Sequence, residues 1–208
     1  MKNICVFVGL FGLWAAAALA GDLKQPVPFA APGPFDRGGW ELEGGAGDML
    51  SFSSTSAKRP TINYQMEDLR LGWMYDSPRH EGWWRGNNEF LLETFGGPVT
   101  KGPGNYLAGG SLLWRYNFVQ PDAKFVPYIQ LGGGVLDNDI HNSHPQRELG
   151  EAFEFVLQGD IGVKYIINSK WSVSVEADYR HISNADLSSR NQGLNSLGGL
   201  MQASYYFH

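Results

Sequence analysis

The chain has 208 residues and a formal net charge of −5, with charged residues at 18%. This length suits one domain, and the acidic balance gives no basis for expecting nucleic acid as a partner. Glycine is frequent, with 27 residues, and aromatic side chains make up 13% of the chain. Such a composition is typical of short β-strands joined by tight turns rather than of helices.

Residues 1–20 are predicted to be a secretory signal peptide. Lys2 supplies the positive start, residues 4–13 form an apolar core, and Ala18-Leu19-Ala20 matches the small-residue cleavage pattern. A membrane anchor is the alternative, but the length and the flanks favour a signal. Cleavage would leave a mature chain without cysteine, because the single cysteine lies inside this segment.

The remaining chain divides into two parts. Residues 21–38 are rich in proline and glycine and are expected to form an extended N-terminal segment with little regular structure. Residues 39–208 are expected to form one β-domain. No run in it approaches the roughly 20 apolar residues that a spanning helix needs, so a membrane role would require a β-barrel.

Alternation of apolar and polar side chains with a period of two predicts eight β-strands. They are expected near residues 40–52, 61–76, 87–96, 105–118, 125–137, 151–167, 171–183 and 195–207. The fourth strand shows the pattern most plainly, because Leu112 and Trp114 alternate with Ser111 and Arg115. In the fifth strand the run 132–134 is all glycine, which predicts a sharp bend or a bulge.

The lengths of the connections follow the habit of outer-membrane barrels, with long outer loops and short inner turns. If the N-terminus lies on the periplasmic side, the outer loops are 53–60, 97–104, 138–150 and 184–194. The inner turns 119–124 and 168–170 are shorter. The inner turn 77–86 is long and departs from this pattern.

Alternation alone does not decide which face meets lipid, because a soluble lipocalin-like barrel has the same period with its apolar face inside. Charges recur on the proposed interior face at Arg115, Glu154, Asp160, Lys164, Glu176, Asp178 and Arg180. Aromatic residues lie near the strand ends, as in the girdles of membrane barrels. These features favour an all-β fold, an eight-stranded antiparallel transmembrane β-barrel located in the cell outer membrane.

The seventh strand carries a histidine and a serine on its apolar face. That face consists of Trp171, Val173, Val175, Ala177 and Tyr179. His181 and Ser183 continue it, so their side chains point the same way. The apolar face of the last strand begins at Asn195, which lies near both residues if the two strands form a hairpin. Hydroxyl, imidazole and amide oxygen make a nucleophile–base–orienter set, although a polar pair at the membrane interface is the alternative.

The run Arg180-His181-Ile182-Ser183-Asn184-Ala185, followed by Asn191-Gln192-Gly193-Leu194-Asn195-Ser196, resembles the signature of the outer-membrane lipid A 3-O-deacylases, the PagL-type family. The resemblance implies an eight-stranded barrel whose catalytic serine, histidine and glutamate face the outer leaflet, with no metal or cofactor. It also implies that the partner is lipid A of lipopolysaccharide in the outer membrane, and a homodimer is left open.

By this resemblance Ser183 would be the nucleophile, His181 the general base and Asn195 the residue that orients the imidazole. The oxyanion donors are expected among the backbone N–H groups of 184–186 or the Asn184 amide, so Asn184 and Asp186 are candidates. The chain departs from the family twice, because Asn195 replaces glutamate and Asp186 replaces a frequent glycine. A catalytically impaired structural or lipid-binding barrel is therefore the alternative function.

A second polar group lies in the loop after the fifth strand. His141 and His144, with Asp137 and Asp139 nearby, have side chains that could bind a metal. Their setting beside Pro145 in a polar loop favours a solvated loop instead.

Overall fold

The computed structural model describes residues 33–52 and 59–208. The predicted signal peptide lies outside these residues, as does most of the segment 21–38. Residues 33–38 form turns that lead into the first strand. Over the described ranges, no helix has the length and apolar character needed to cross a membrane.

Eight antiparallel strands form a closed barrel in which each strand pairs with its neighbours in sequence and the first pairs with the last. The strands are β1 (Trp40–Phe52), β2 (Asn63–Met74), β3 (Asn87–Lys101), β4 (Tyr106–Asn117), β5 (Phe125–Asn138), β6 (Phe153–Ile166), β7 (Trp171–Ser183) and β8 (Leu194–Phe207). Two short 3₁₀ helices, Gly82–Trp84 and Ile140–Asn142, lie in connections. The predicted eight-stranded antiparallel barrel is confirmed.

The main difference from the predicted strands is at β3, which continues to Lys101. The outer loop was predicted to begin at residue 97, but Gly97 pairs with Leu107 across the sheet. A side chain at Gly97 would collide with the backbone of Gln65, so glycine here permits close strand packing. The connection between β3 and β4 is therefore only 102–105.

The run of three glycines in β5 also lies in regular pairing. Gly132 and Gly134 face Leu113 and Ser111 of β4 without a shift in register, so there is no bulge at this point of the described sheet. Side chains at either position would run into the β4 backbone. The glycines thus allow the two strands to approach closely.

The barrel places its charges inside and its apolar side chains outside. The buried charged residues of the strands are Glu41, Glu43, Asp68, Arg70, Glu89, Glu93, Arg115, Glu154, Asp160, Lys164, Glu176, Asp178 and Arg180. On the exterior, Leu112 is 71% exposed and Met201 is 74% exposed. A soluble barrel needs the opposite arrangement, whereas an apolar exterior suits contact with lipid.

Arg70 lies at the centre of the interior ion-pair network. Its guanidinium group contacts Glu93 and Glu176 at 2.9 Å, and Glu43 and Asp68 at 3.0 Å. These carboxylates come from four strands, β1, β2, β3 and β7, so one cation joins much of the barrel wall. Because the side chains are fully buried, losing the cation would leave Asp68 and Glu176 without a salt-bridge partner among the described residues.

The long turn between β2 and β3 folds back onto the outer face of β4. Tyr116 donates a hydrogen bond from its hydroxyl to the Trp84 carbonyl at 2.6 Å, and the ring centroids of Trp84 and Phe118 lie 5.8 Å apart. Trp83 stacks on Trp84 with centroids 4.0 Å apart. The extra length of this turn therefore adds two tryptophans to the aromatic surface at one end of the barrel.

We expect Arg70→Met to destabilise the barrel by about 3–5 kcal/mol, because it leaves buried carboxylates without their partner. Arg79→Met is the matched control, since Arg79 is 60% exposed and pairs with Asp76. That control should cost at most about 1 kcal/mol. Urea unfolding in detergent micelles measures both changes, and equal unfolding midpoints would contradict a central role for Arg70.

Candidate active site

His181 and Ser183 lie on the outer surface at the end of β7. They continue the face of Tyr179, which is 38% exposed, whereas Asp178 and Arg180 on the alternate face are buried in the interior. Both site residues are half-buried. The strand ends at Ser183, so the pair lies where β7 leaves the sheet and the loop 184–193 begins.

Antiparallel pairing between β7 and β8 places Asn195 directly opposite His181. The Asn195 Oδ1 atom lies 2.9 Å from His181 Nδ1 and also accepts a hydrogen bond from the Tyr179 hydroxyl at 2.9 Å. Asn195 pairs on its other side with Phe52 of β1 and is only 8% exposed. The amide is thus a shielded polar group on the outward face, and its oxygen serves two donors.

Ser183 lies two residues beyond His181 on the same face and opposite Phe155 of β6. Among the described residues no hydrogen bond joins its hydroxyl to the imidazole. Catalytic hydrogen bonds are often long in unliganded sites and shorten when substrate binds. The structure therefore brings His181 and Asn195 together and leaves Ser183 adjacent to them.

The segment after Ser183 is a tight turn with an uncommon backbone. Ala185 and Asp186 have φ of +52° and +64°, and the Leu187 amide donates to the Asn184 carbonyl at 3.0 Å. Two successive left-handed residues closed by this bond form a type I′ turn, which favours glycine, asparagine or aspartate. A glycine at position 186 would adopt this conformation without steric cost.

The candidate oxyanion donors differ in how they are used. The Asn184 backbone N–H donates to Asn191 Oδ1 at 2.9 Å, and the Asn184 side-chain amide donates to Ser188 Oγ and the Arg190 carbonyl. The donors of Asn184 are thus engaged inside the loop. Asp186 accepts a hydrogen bond from the Asn191 amide at 2.9 Å, which holds its carboxylate at the loop surface.

Gly193 places the end of this loop against the imidazole. Its φ is +73°, and a Cβ atom built on it would lie 2.8 Å from His181 Cε1. The Gly193 amide donates to the Glu148 carbonyl at 3.1 Å, and Arg59 donates to the Gln192 carbonyl at 3.0 Å. Two other loops therefore hold the segment that covers His181.

Arg59 and Glu148 were not found from the sequence. Both line a cavity of about 60 Å³ that also contacts Asn195 and Gly193. They come from different loops distant in sequence, and neither belongs to a periodic pattern that could have identified it. Tyr179 was predicted only as part of the apolar face of the seventh strand, although its hydroxyl contacts the site.

The other carboxylate and histidine groups lie apart from this face. Asp160, Glu176 and Asp178 approach one another within 4.8 Å inside the barrel. Arg70 already pairs with Glu176, and Arg180 already pairs with Asp178. In the loop after β5, His141 Nδ1 lies 2.7 Å from the carbonyl oxygen of Asn138.

The closed barrel has a charged interior, an apolar exterior and an outward-facing histidine and serine. These features define a class of protein: membrane β-barrels that carry a candidate hydrolytic site on the lipid-facing surface. The family model for lipid A 3-O-deacylase (PagL) matches residues 49–204, well over half of the chain. The chain therefore belongs to the PagL family.

Solved structures share the barrel fold. The crystal structure of the outer membrane enzyme PagL has a TM-score of 0.55 at 20% identity, covering 78% of this chain and 97% of that chain. The crystal structure of Neisserial surface protein A (NspA) has a TM-score of 0.52 at 15% identity, covering 82% and 98%. At these identities the likeness concerns the fold alone. No curated protein sequence matches the chain.

Gly193→Ala should displace the His181 ring, because the added methyl group would meet Cε1 and the backbone is left-handed. Gly82→Ala is the matched control, since Gly82 has φ of +65° and open space around its Cβ position. Both variants should lose roughly 1 kcal/mol of stability through the backbone. Only Gly193→Ala should shift the His181 ring resonances in NMR spectra, and unchanged resonances would contradict the packing of the loop on the ring.

Proposed function

We propose that this chain is a serine esterase that hydrolyses an ester-linked acyl chain of lipid A, at the 3-O position named by its family. The observation that carries the proposal is the outward-facing hydrogen bond between His181 and Asn195, next to Ser183, on a barrel of the PagL family. A hydrolytic site on the outer surface of a barrel suits a substrate that lies in the surrounding lipid. No soluble substrate would need this placement.

The proposed location is the outer leaflet of the outer membrane. The apolar exterior supports a membrane location, and β-barrels are the strand-based architecture that can span lipid. His181 and Ser183 lie where the barrel meets the loop 184–193. In the proposed orientation this end of the barrel would face the headgroup side of the outer leaflet, near the acyl esters of lipid A. The predicted signal peptide provides the route for export.

The reaction proceeds in two steps. Ser183 Oγ forms a bond to the ester carbonyl carbon while its proton moves to His181 Nε2, and the carbonyl electron pair moves onto oxygen. Collapse of this tetrahedral intermediate breaks the ester bond, and the leaving sugar oxygen takes the proton from His181. Water then attacks acyl-Ser183 in the same way, which releases the fatty acid and restores the serine.

The residues around this pair have positioning and charge-stabilising roles. Asn195 Oδ1 accepts a hydrogen bond from the His181 Nδ1–H group, so that the unprotonated Nε2 is the free base. The oxyanion would receive N–H groups from the turn after Ser183, where Asp186 and its preceding residue remain candidates because Asn184 is engaged elsewhere. An amide stabilises an imidazolium less than a carboxylate does, so turnover should be slower than with glutamate at position 195.

The second candidate function is a non-catalytic barrel that binds lipid or contributes to membrane structure. Asn195 in place of glutamate and the left-handed Asp186 are the observations that favour it. Loss of selection for catalysis would allow both changes. The two functions differ in whether the parent protein changes lipid A.

Expression of the parent protein in a Gram-negative host should remove one ester-linked acyl chain from lipid A. Mass spectrometry of extracted lipid A measures the loss, and Ser183→Ala should abolish it because the nucleophile is gone. Ser189→Ala is the matched control, since Ser189 is exposed in the same loop and its hydroxyl makes no hydrogen bond among the described residues. Heat-modifiability on gels shows whether the parent is folded. If the folded parent leaves the acyl pattern unchanged, the result supports the non-catalytic barrel.

Asn195→Glu should raise turnover at least about tenfold, because a carboxylate stabilises the imidazolium that forms at His181. Asn195→Gln adds the same length without charge and should not raise it. Initial rates on purified lipid A in mixed micelles give the comparison. If the glutamine variant gains as much as the glutamate variant, charge is not the missing element.

A further inference from the structure

The side-chain amide at position 195 has two ends with opposite effects on the base. With Oδ1 toward the imidazole, the ring is protonated on Nδ1 and Nε2 is free to accept a proton. With the NH₂ group toward the imidazole, Nδ1 must accept, the proton moves to Nε2, and the base is lost. The two orientations have nearly the same shape, so another contact must select between them.

Tyr179 supplies that contact. Its hydroxyl donates to the same Asn195 oxygen that faces His181, with both distances at 2.9 Å. Among the described residues, the amide oxygen is the acceptor for this phenol proton. If the amide were reversed, the Tyr179 proton would lose its acceptor.

The surroundings make this loss costly. Asn195 is 8% exposed, and the rings of Phe52 and Tyr179 lie 6.2 Å apart between centroids on the same outward face. Phe52 also pairs directly with Asn195. At a largely buried position a hydrogen bond is stronger and an unpaired donor is more unfavourable than in water. The NH₂ group of the amide can donate to water instead, because Asn195 borders the 60 Å³ cavity, which is large enough for a water molecule.

We propose that Tyr179 is a positioning residue that fixes the Asn195 amide with its oxygen toward His181 and thereby keeps the productive tautomer of the base. This inference rests on the proposed esterase function for its catalytic consequence, but not for the tautomer itself. It also explains how an amide can serve at a position where the family has a carboxylate. A carboxylate has two equivalent oxygens and needs no such selection.

The test is a double-mutant comparison built on this difference. Tyr179→Phe removes only the hydroxyl and should lower kcat at least about twofold with little change in KM, because the two amide orientations would then be about equally populated and only one of them holds the productive tautomer. The same change in an Asn195→Asp background, which keeps the size of the side chain, should leave kcat unchanged, because either carboxylate oxygen can accept from the imidazole. Equal losses in both backgrounds would overturn the proposal, because they would indicate a purely structural hydroxyl.

Tyr106→Phe is the matched control for these rates. Tyr106 donates its hydroxyl to Asp137 at 2.5 Å at an end of β4, away from the strands that carry the site. It therefore removes a comparable hydrogen bond without touching Asn195. Its kcat should equal that of the parent, and a similar loss would point to general destabilisation.

The tautomer of His181 is measured independently of activity by ¹⁵N NMR of the ring, assigned by comparison with His181→Ala. The parent should show a protonated Nδ1, and Tyr179→Phe should shift the population toward a protonated Nε2. A parent already protonated on Nε2 would overturn the proposal. If the parent leaves lipid A unchanged but the tautomer shifts as expected, the esterase function fails while the role of Tyr179 stands.

Discussion

The backbone ladder between β7 and β8 holds His181 opposite Asn195, and the candidate site depends on this register. In a strand, a slip by one residue turns every side chain to the other face. Such a slip would place the imidazole among the interior charges and expose Arg180 to lipid. Closure of the barrel fixes the register on both sides of β8, because Asn195 also pairs with Phe52 of β1. The geometry of the site is thus a consequence of the whole ladder rather than of the hairpin alone.

Buried polar and charged groups are compensated differently inside the barrel and on its outer surface. Inside, Arg70 and its partner carboxylates compensate buried charge by direct pairing across strands. Outside, the site must present polar groups on a surface otherwise made for lipid. The Asn195 side-chain oxygen meets this requirement by accepting hydrogen bonds from both the Tyr179 hydroxyl and the His181 imidazole. A lipid-facing site can therefore be polar locally, provided that its donors and acceptors are satisfied within the protein.

Sequence alternation was sufficient to predict the strands, the facing of His181 and the pairing with Asn195, because these follow from a period of two and a hairpin. It failed at β3, where glycines at a close strand approach have the same appearance as turn glycines. It also could not reveal Arg59 or Glu148, because contacts between loops that are distant in sequence produce no periodic pattern of side chains. The hydroxyl of Tyr179 was missed for a related reason. An aromatic residue near a strand end is expected in any membrane barrel, and its hydrogen bond becomes visible only with the register known.

An amide at position 195 changes the balance between folding and catalysis. A carboxylate at this position, where Asn195 is only 8% exposed, would carry a charge in a poorly solvated place, which is unfavourable unless His181 is protonated. Asparagine avoids that cost, but it gives up the charge that would stabilise the imidazolium in the transition state. The Tyr179 hydrogen bond restores orientation only, since a neutral donor adds no negative charge to the amide oxygen. Under the proposed mechanism, the base is held ready in the resting protein but has weaker support during proton transfer, so the deficit should appear in the chemical step rather than in lipid binding.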